Sequence, residues 1–153
     1  MENNNEVILS AFNVYKKYYL RLLLLEIFGK NEPLDNSEII KRLYSDVRKG
    51  NELYHSTTMN DIMTEYEYLV KIGYFTSVEN EEKITLSEIG KKALRECVWE
   101  NLSSSAFFGY KGLYISNIAL DTSKKALYVS ILTFIVSLAA VLIAVYSMYY
   151  HFK

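Results

Sequence analysis

The chain is predicted to be mainly α-helical, with a small β-hairpin in an amino-terminal head and a single transmembrane helix at its carboxyl end. Three observations carry this. Apolar residues recur at helical spacing through most of residues 1–100, and two short alternating segments, YFTSV and KITL, flank an acidic turn. Residues 126–150 hold no charge, Pro or Gly. With 153 residues, 50% hydrophobic and 23% charged at net charge −1, the chain has the size of about one domain plus an appendage. The near-neutral balance excludes a polybasic coat for nucleic acid, and the lone Cys97 excludes a domain stapled by internal disulfides. A mean hydropathy close to zero averages over two very different parts.

The elements follow in order. A first long helix is expected over residues 7–28. Lys16, Lys17, Arg21 and Glu26 lie inside it and would each cost a few kcal/mol at bilayer depth, so it belongs to the head. It ends near Gly29, before KNEPLDN, which contains the one Pro. Asp35 and Glu38 have capping-box spacing and open a second helix with the stripe Ile39, Ile40, Leu43 and Val47. RKGNELYHS breaks it. A third helix starts at Ser56 or Thr57, carries Met59, Ile62, Met63, Tyr66, Leu69 and Val70, and stops at Gly73. The hairpin comes next. Thr85 and Glu88 then have capping-box spacing for a fourth helix with Ile89, Ala93, Leu94, Cys97 and Val98 inward. Residues 101–125 read as a connector rich in Ser, Gly and aromatics. Its Phe107, Phe108, Tyr110 and Tyr114 suit a membrane interface or packing on the head equally well.

Residues 126–150 would make about 37 Å of helix, enough to cross a hydrocarbon core of about 30 Å. Lys124 and Lys125 precede the run, and Tyr128, Tyr146, Tyr149, Tyr150 and Phe152 mark its ends as an aromatic belt would. A buried core helix has similar composition, but a head this small cannot wrap one on all sides. Lys111, Lys124 and Lys125 before the span outweigh Lys153 after it, which places the head in the cytoplasm. The acidic, polar start MENNNEVILS does not read as a signal peptide, and no domain is expected in the tail at 151–153. The expected organisation is thus a head at 1–100, a connector at 101–125 and a span at 126–150.

The order helix, helix, helix, hairpin, helix resembles the winged helix-turn-helix domain of PadR- and MarR-like regulators. The likeness is sharpest where LVKIGYF meets ITLSEIGKKAL. Leu86, Gly90 and Leu94 occupy places of a Leu-Thr-x-x-Gly-x-x-x-Leu pattern, with Ser87 where Thr is usual. It covers about residues 15–100 and implies that the third helix is a recognition helix whose outer face carries Thr57, Asn60, Asp61, Thr64, Glu65, Tyr68 and Lys71. The residues depart from what DNA needs. Between Thr57 and Leu86 stand Lys71 and Lys83 against Asp61, Glu65, Glu67, Glu79, Glu81 and Glu82, a formal −4 where phosphates would lie. Lys41, Arg42, Arg48, Lys49 and His55 form a modest basic patch that nearby acids balance. DNA is therefore disfavoured, and a protein partner is expected instead.

Within the span, Ala126, Ser130, Thr133, Ser137, Ala140, Ala144 and Ser147 recur at alternating spacings of four and three, the a and d positions of a heptad. Small residues let helix backbones approach closely in lipid, so this stripe predicts a homodimer or small homo-oligomer with left-handed crossing. Chance alignment of common small residues is the plainer reading. The crowded Tyr15, Tyr18 and Tyr19, with Phe12 and Leu22, suit either paired heads or a monomeric core.

No catalytic or metal-binding constellation stands out, and no cofactor is expected. His55 and His151 fall on opposite sides of the predicted membrane, Cys97 lies on an apolar face, and GYKG at 109–112 lacks the spacing of a phosphate loop. The expectation is a non-enzymatic, single-pass, tail-anchored protein whose head acts as an interaction, sensor or adaptor module. A membrane-tethered DNA-binding regulator is the alternative, and a small membrane-disrupting effector a third.

Overall fold

The computed structural model describes residues 2–30, 34–47, 53, 56–78 and 83–151. It is mainly helical: α1 (Glu2–Lys30), α2 (Asn36–Val47), α3 (Met59–Lys71), β1 (Phe75–Ser77), β2 (Ile84–Leu86), α4 (Glu88–Arg95) and α5 (Val98–His151). Two compact units divide the chain, Met1–Lys111 and Gly112–Lys153. The expectations attached to Arg48, Lys49, His55, Glu79, Glu81, Glu82, Phe152 and Lys153 lie outside the described residues.

The first unit is built around α1. Leu20, Leu24 and Leu25 are fully buried, and Leu23, Ile27 and Phe28 nearly so, so the second half of this helix is apolar on most sides. Against it pack Ile39 and Leu43 of α2, Ile62 and Leu69 of α3, Phe75, Leu86 and Trp99. Helix α1 begins at Glu2, earlier than expected, because nothing before Val7 stops a helix; the preceding residues include neither Pro nor Gly.

The hairpin pairs Phe75 with Leu86, Thr76 with Thr85 and Ser77 with Ile84. Leu34 joins it through an antiparallel bridge, exchanging backbone hydrogen bonds of 3.1 and 3.0 Å with Ile84. The chain is turned into β1 by Gly73, at φ +79. The Gly73 N–H donates to the carbonyl of Val70 and that of Tyr74 to the carbonyl of Leu69, which closes α3 as a Schellman motif.

Three boundaries correct the expectations. Asp35 does cap α2, accepting from the Glu38 N–H at 2.8 Å, but α3 starts at Met59 with Thr58 as its cap. Thr58 and Asp61 form the reciprocal box. Helix α4 is capped by Ser87, since Thr85 is committed to β2; the Ser87 hydroxyl accepts from the Gly90 N–H and donates to the carbonyl of Gly73 at 2.6 Å. The fourth helix also ends at Arg95, and Cys97, at φ 54, turns the chain into α5. Ile89 and Cys97 therefore face solvent, and the whole connector at 101–125 is helical.

The three residues that carried the family likeness meet at one place. Leu86 and Gly90 are buried, and Leu94 packs on the core. A Cβ on Gly90 would run into the backbone carbonyl of Tyr74, which cannot swing aside as a side chain would. Gly90→Ala is thus expected to destabilise the first unit by about 1–3 kcal/mol despite alanine's better helix propensity. Urea unfolding of the protein in detergent checks this, and a stabilised variant would contradict the close approach.

Candidate functional site

Helix α3 presents four stripes with different surroundings. Ile62, Glu65 and Leu69 are buried. Asp61, Glu65 and Tyr68 interact with α1. Asn60, Thr64, Glu67 and Lys71 form an exposed polar stripe, while Met59, Met63 and Val70 form an exposed apolar one. Periodicity of 3.6 residues per turn generates all four from one run of sequence.

Two of the three acidic residues of α3, Asp61 and Glu65, are engaged within the fold. Lys16 of α1 reaches Asp61 at 3.1 Å and donates to the Ser56 carbonyl at the same distance. Burial alone would raise the Asp61 pKa, but hydrogen bonds from the Thr58 N–H and hydroxyl, with the Lys16 ammonium beside them, hold it below the ordinary value. One turn on, the Arg21 Nε donates to Glu65 at 2.6 Å, with both side chains largely shielded from solvent. The Arg21 guanidinium lies 3.7 Å from the Tyr68 ring centroid and 4.8 Å from that of Trp99, with Tyr18 at 5.8 Å. Trp99 in turn contacts Tyr18, Tyr68 and Tyr74 edge-on or tilted. The result is an ion pair inside an aromatic box that clasps α1 to α3 and to the start of α5.

The recognition-face expectation is therefore corrected in part. Asn60, Thr64 and Lys71 are exposed as expected, and Tyr68 is exposed at its edge while covering Arg21. Glu65 is only 4% exposed and turned inward, Asp61 is half-buried against Lys16, and Thr57 is a half-buried residue ahead of the helix. Two of the six acids counted against DNA are thus already neutralised within the fold. What the sequence reading missed is the complementary spacing: Lys16 and Arg21 within an apolar helix, and Asp61 and Glu65 one turn apart.

Elsewhere the aromatics at 107–110 pack on the head. Tyr15 lies 5.2 Å from Phe107, Phe12 lies 5.2 Å from Tyr110, and Lys111 sits over both Phe107 and Tyr110. Phe108, by contrast, is 72% exposed. Cys97 is a poor nucleophile: a hydrogen bond with the Glu100 side chain pushes its thiol pKa up. Among the described residues no three of His, Cys, Asp and Glu come together as a metal site requires.

In the second unit α5 is a candidate membrane span by length and composition. All seven small residues of the heptad stripe lie on its exposed surface. The hydroxyls of Ser130, Thr133 and Ser137 donate to the carbonyls of Ala126, Val129 and Thr133, each at 2.9 Å, so none needs a partner to be satisfied. Lys125 pairs with Asp121 at 2.7 Å, and Lys124 is exposed next to it. Comparison of the chain with protein-family models, curated proteins and solved structures finds no match.

Proposed function

We propose that the protein is a single-pass membrane anchor with a cytoplasmic winged-helix head that docks a protein partner, without catalysis of its own. The observation that carries this reading is the exposed surface of α3. Met59, Met63 and Val70 are 42, 36 and 45% exposed on one stripe, beside a polar stripe whose Glu67 and Lys71 cancel. Flexible thioethers suit an adaptable apolar contact. A helix that reads DNA needs a cationic surplus to displace counterions, and this one has none. The order of elements, with Leu34 beside the hairpin, supports the winged-helix reading. The uncharged run behind Lys124 and Lys125 supports the anchor and its orientation.

The same order of elements favours a second reading, a membrane-tethered regulator that uses Asn60, Thr64 and Lys71 on bases. Titration of the full-length protein in nanodiscs with duplex DNA across a salt series separates the two. The expected result is no binding below micromolar concentration at any salt. A sub-micromolar affinity whose logarithm falls linearly with log salt, by about 0.9 for each phosphate contacted, would establish the regulator instead.

A further inference from the structure

The hairpin has two edges, and among the described residues only one of them is covered. Bonds of 2.9 Å from the Val78 N–H to the Lys83 carbonyl and from the Ser87 N–H to the Tyr74 carbonyl flank the ladder. Hydrogen-bonded positions alternate along an antiparallel pair, so Thr76 and Thr85 are the bonded pair between them. The main-chain groups of Phe75, Ser77, Ile84 and Leu86 therefore point outward. On the β2 side Leu34 takes both outward groups of Ile84, at 3.1 and 3.0 Å. On the β1 side the outward N–H and C=O groups of Phe75 and Ser77 meet no hydrogen-bonding partner among the described residues.

Nothing in the strand itself protects this edge. Proteins commonly blunt an open edge with a charge, a proline or a bulge. The run YFTSV at 74–78 holds no charge and no proline, and its register with β2 is continuous. Phe75 turns its ring inward, 4.5 Å from that of Phe28 and 5.6 Å from that of Tyr66 between centroids, while Thr76 and Ser77 are exposed.

We propose that β1 pairs with β1 of a second copy, antiparallel about a two-fold axis at Thr76, joining two hairpins into one four-stranded sheet. Main-chain donors and acceptors alternating along an extended strand select another extended strand. Self-complementarity selects the copy. With the axis at Thr76, Phe75 of each copy bonds Ser77 of the other, and every outward group of both strands is paired. Thr76 then faces its own image, an uncharged pair of a kind favoured across strands. Four hydrogen bonds are too few to recruit a partner from dilute solution, so the occupant must already be held alongside. Anchored copies are. That step rests on the reading of the chain as a membrane anchor with every head on the same side.

Disulfide cross-linking of the full-length protein in native membranes tests the pairing, in a Cys97→Ser background that removes the one exposed thiol. Single cysteines replace Thr76, Ser77 and Thr85 in turn. Facing residues at a non-hydrogen-bonded antiparallel position have Cα atoms about 4.5 Å apart, within disulfide reach. Position 77 would lie about 8 Å from its image, and position 85, one strand further out on each side, about 14 Å. Dimers are expected to be several-fold more abundant at 76 than at 77 or 85. Equal yields at all three would mean random collision, a maximum at 77 or 85 a different register, and no dimers no pairing; each overturns the proposal. Ser77→Pro, added to Thr76→Cys, removes one outward donor and no bond to β2, as prolines on open edges do. It is expected to lower the dimer yield several-fold while Trp99 fluorescence keeps the parent's urea transition, and an undiminished yield would overturn pairing through the main chain. Carbonate extraction of the same membranes reads the anchor separately. Release of the protein would overturn the anchor, whereas retention without dimers at 76 would overturn only the edge pairing.

Discussion

Glu65→Leu is expected to destabilise the first unit by about 3–5 kcal/mol, because it leaves the largely shielded Arg21 guanidinium without its counter-charge. The two side chains are 12 and 5% exposed, so water cannot take over the role of the carboxylate. The rings of Tyr68 and Trp99 hold the cation by their faces, but such contacts contribute about 0.5–2 kcal/mol and cannot replace an ion pair. Removing both charges together, as Arg21→Met with Glu65→Leu, is expected to recover most of the loss, since apolar groups of similar volume need no partner. Trp99 is the one tryptophan and borders Arg21, so its fluorescence during urea unfolding in detergent reports on this box directly. A Glu65→Leu protein as stable as the parent would show that Arg21 finds water and that the clasp is ornamental. A double variant no better than the single would place the loss in packing rather than charge.

That clasp also marks where sequence patterning stops being informative. The hairpin, the cap at Asp35 and the stop at Gly73 each depend on residues within a few positions of one another, and all three are found where expected. Arg21 and Glu65 are separated by forty-four residues, and nothing local tells an inward acid from an outward one on a helix such as α3. Counting charges between Thr57 and Leu86 treated every acid as surface. Burial makes two of them structural, and the stronger argument against DNA becomes the exposed Met59, Met63 and Val70 rather than the sum of charges. The connector failed for the opposite reason. Gly109 and Gly112 lower helix propensity by about 1 kcal/mol each, but that is too little to break a helix whose neighbouring turns continue on both sides. The real break, at Cys97, carries no glycine to announce it.

Replacing Ser137, Ala140 and Ala144 together with Leu is expected to abolish self-association in a membrane two-hybrid assay. The reason is steric. In lipid no hydrophobic drive brings helices together, so a pair is held by close contact along its seam, and three isobutyl groups on one face would hold the backbones apart. Hydroxyl chemistry is expected to matter far less. Ser137 already donates to the Thr133 carbonyl at 2.9 Å in the single helix, and interhelical hydrogen bonds in membranes average only about 0.6 kcal/mol. Ser137→Ala should therefore keep most of the signal while the triple Leu variant loses it. Leu142→Ala, on the column opposite the seam, should leave the signal unchanged, with expression and membrane insertion matched for every variant. Loss on Ser137→Ala would make the seam a hydrogen-bonded one, and an unaltered signal from the triple variant would mean that the small residues align without pairing the helices.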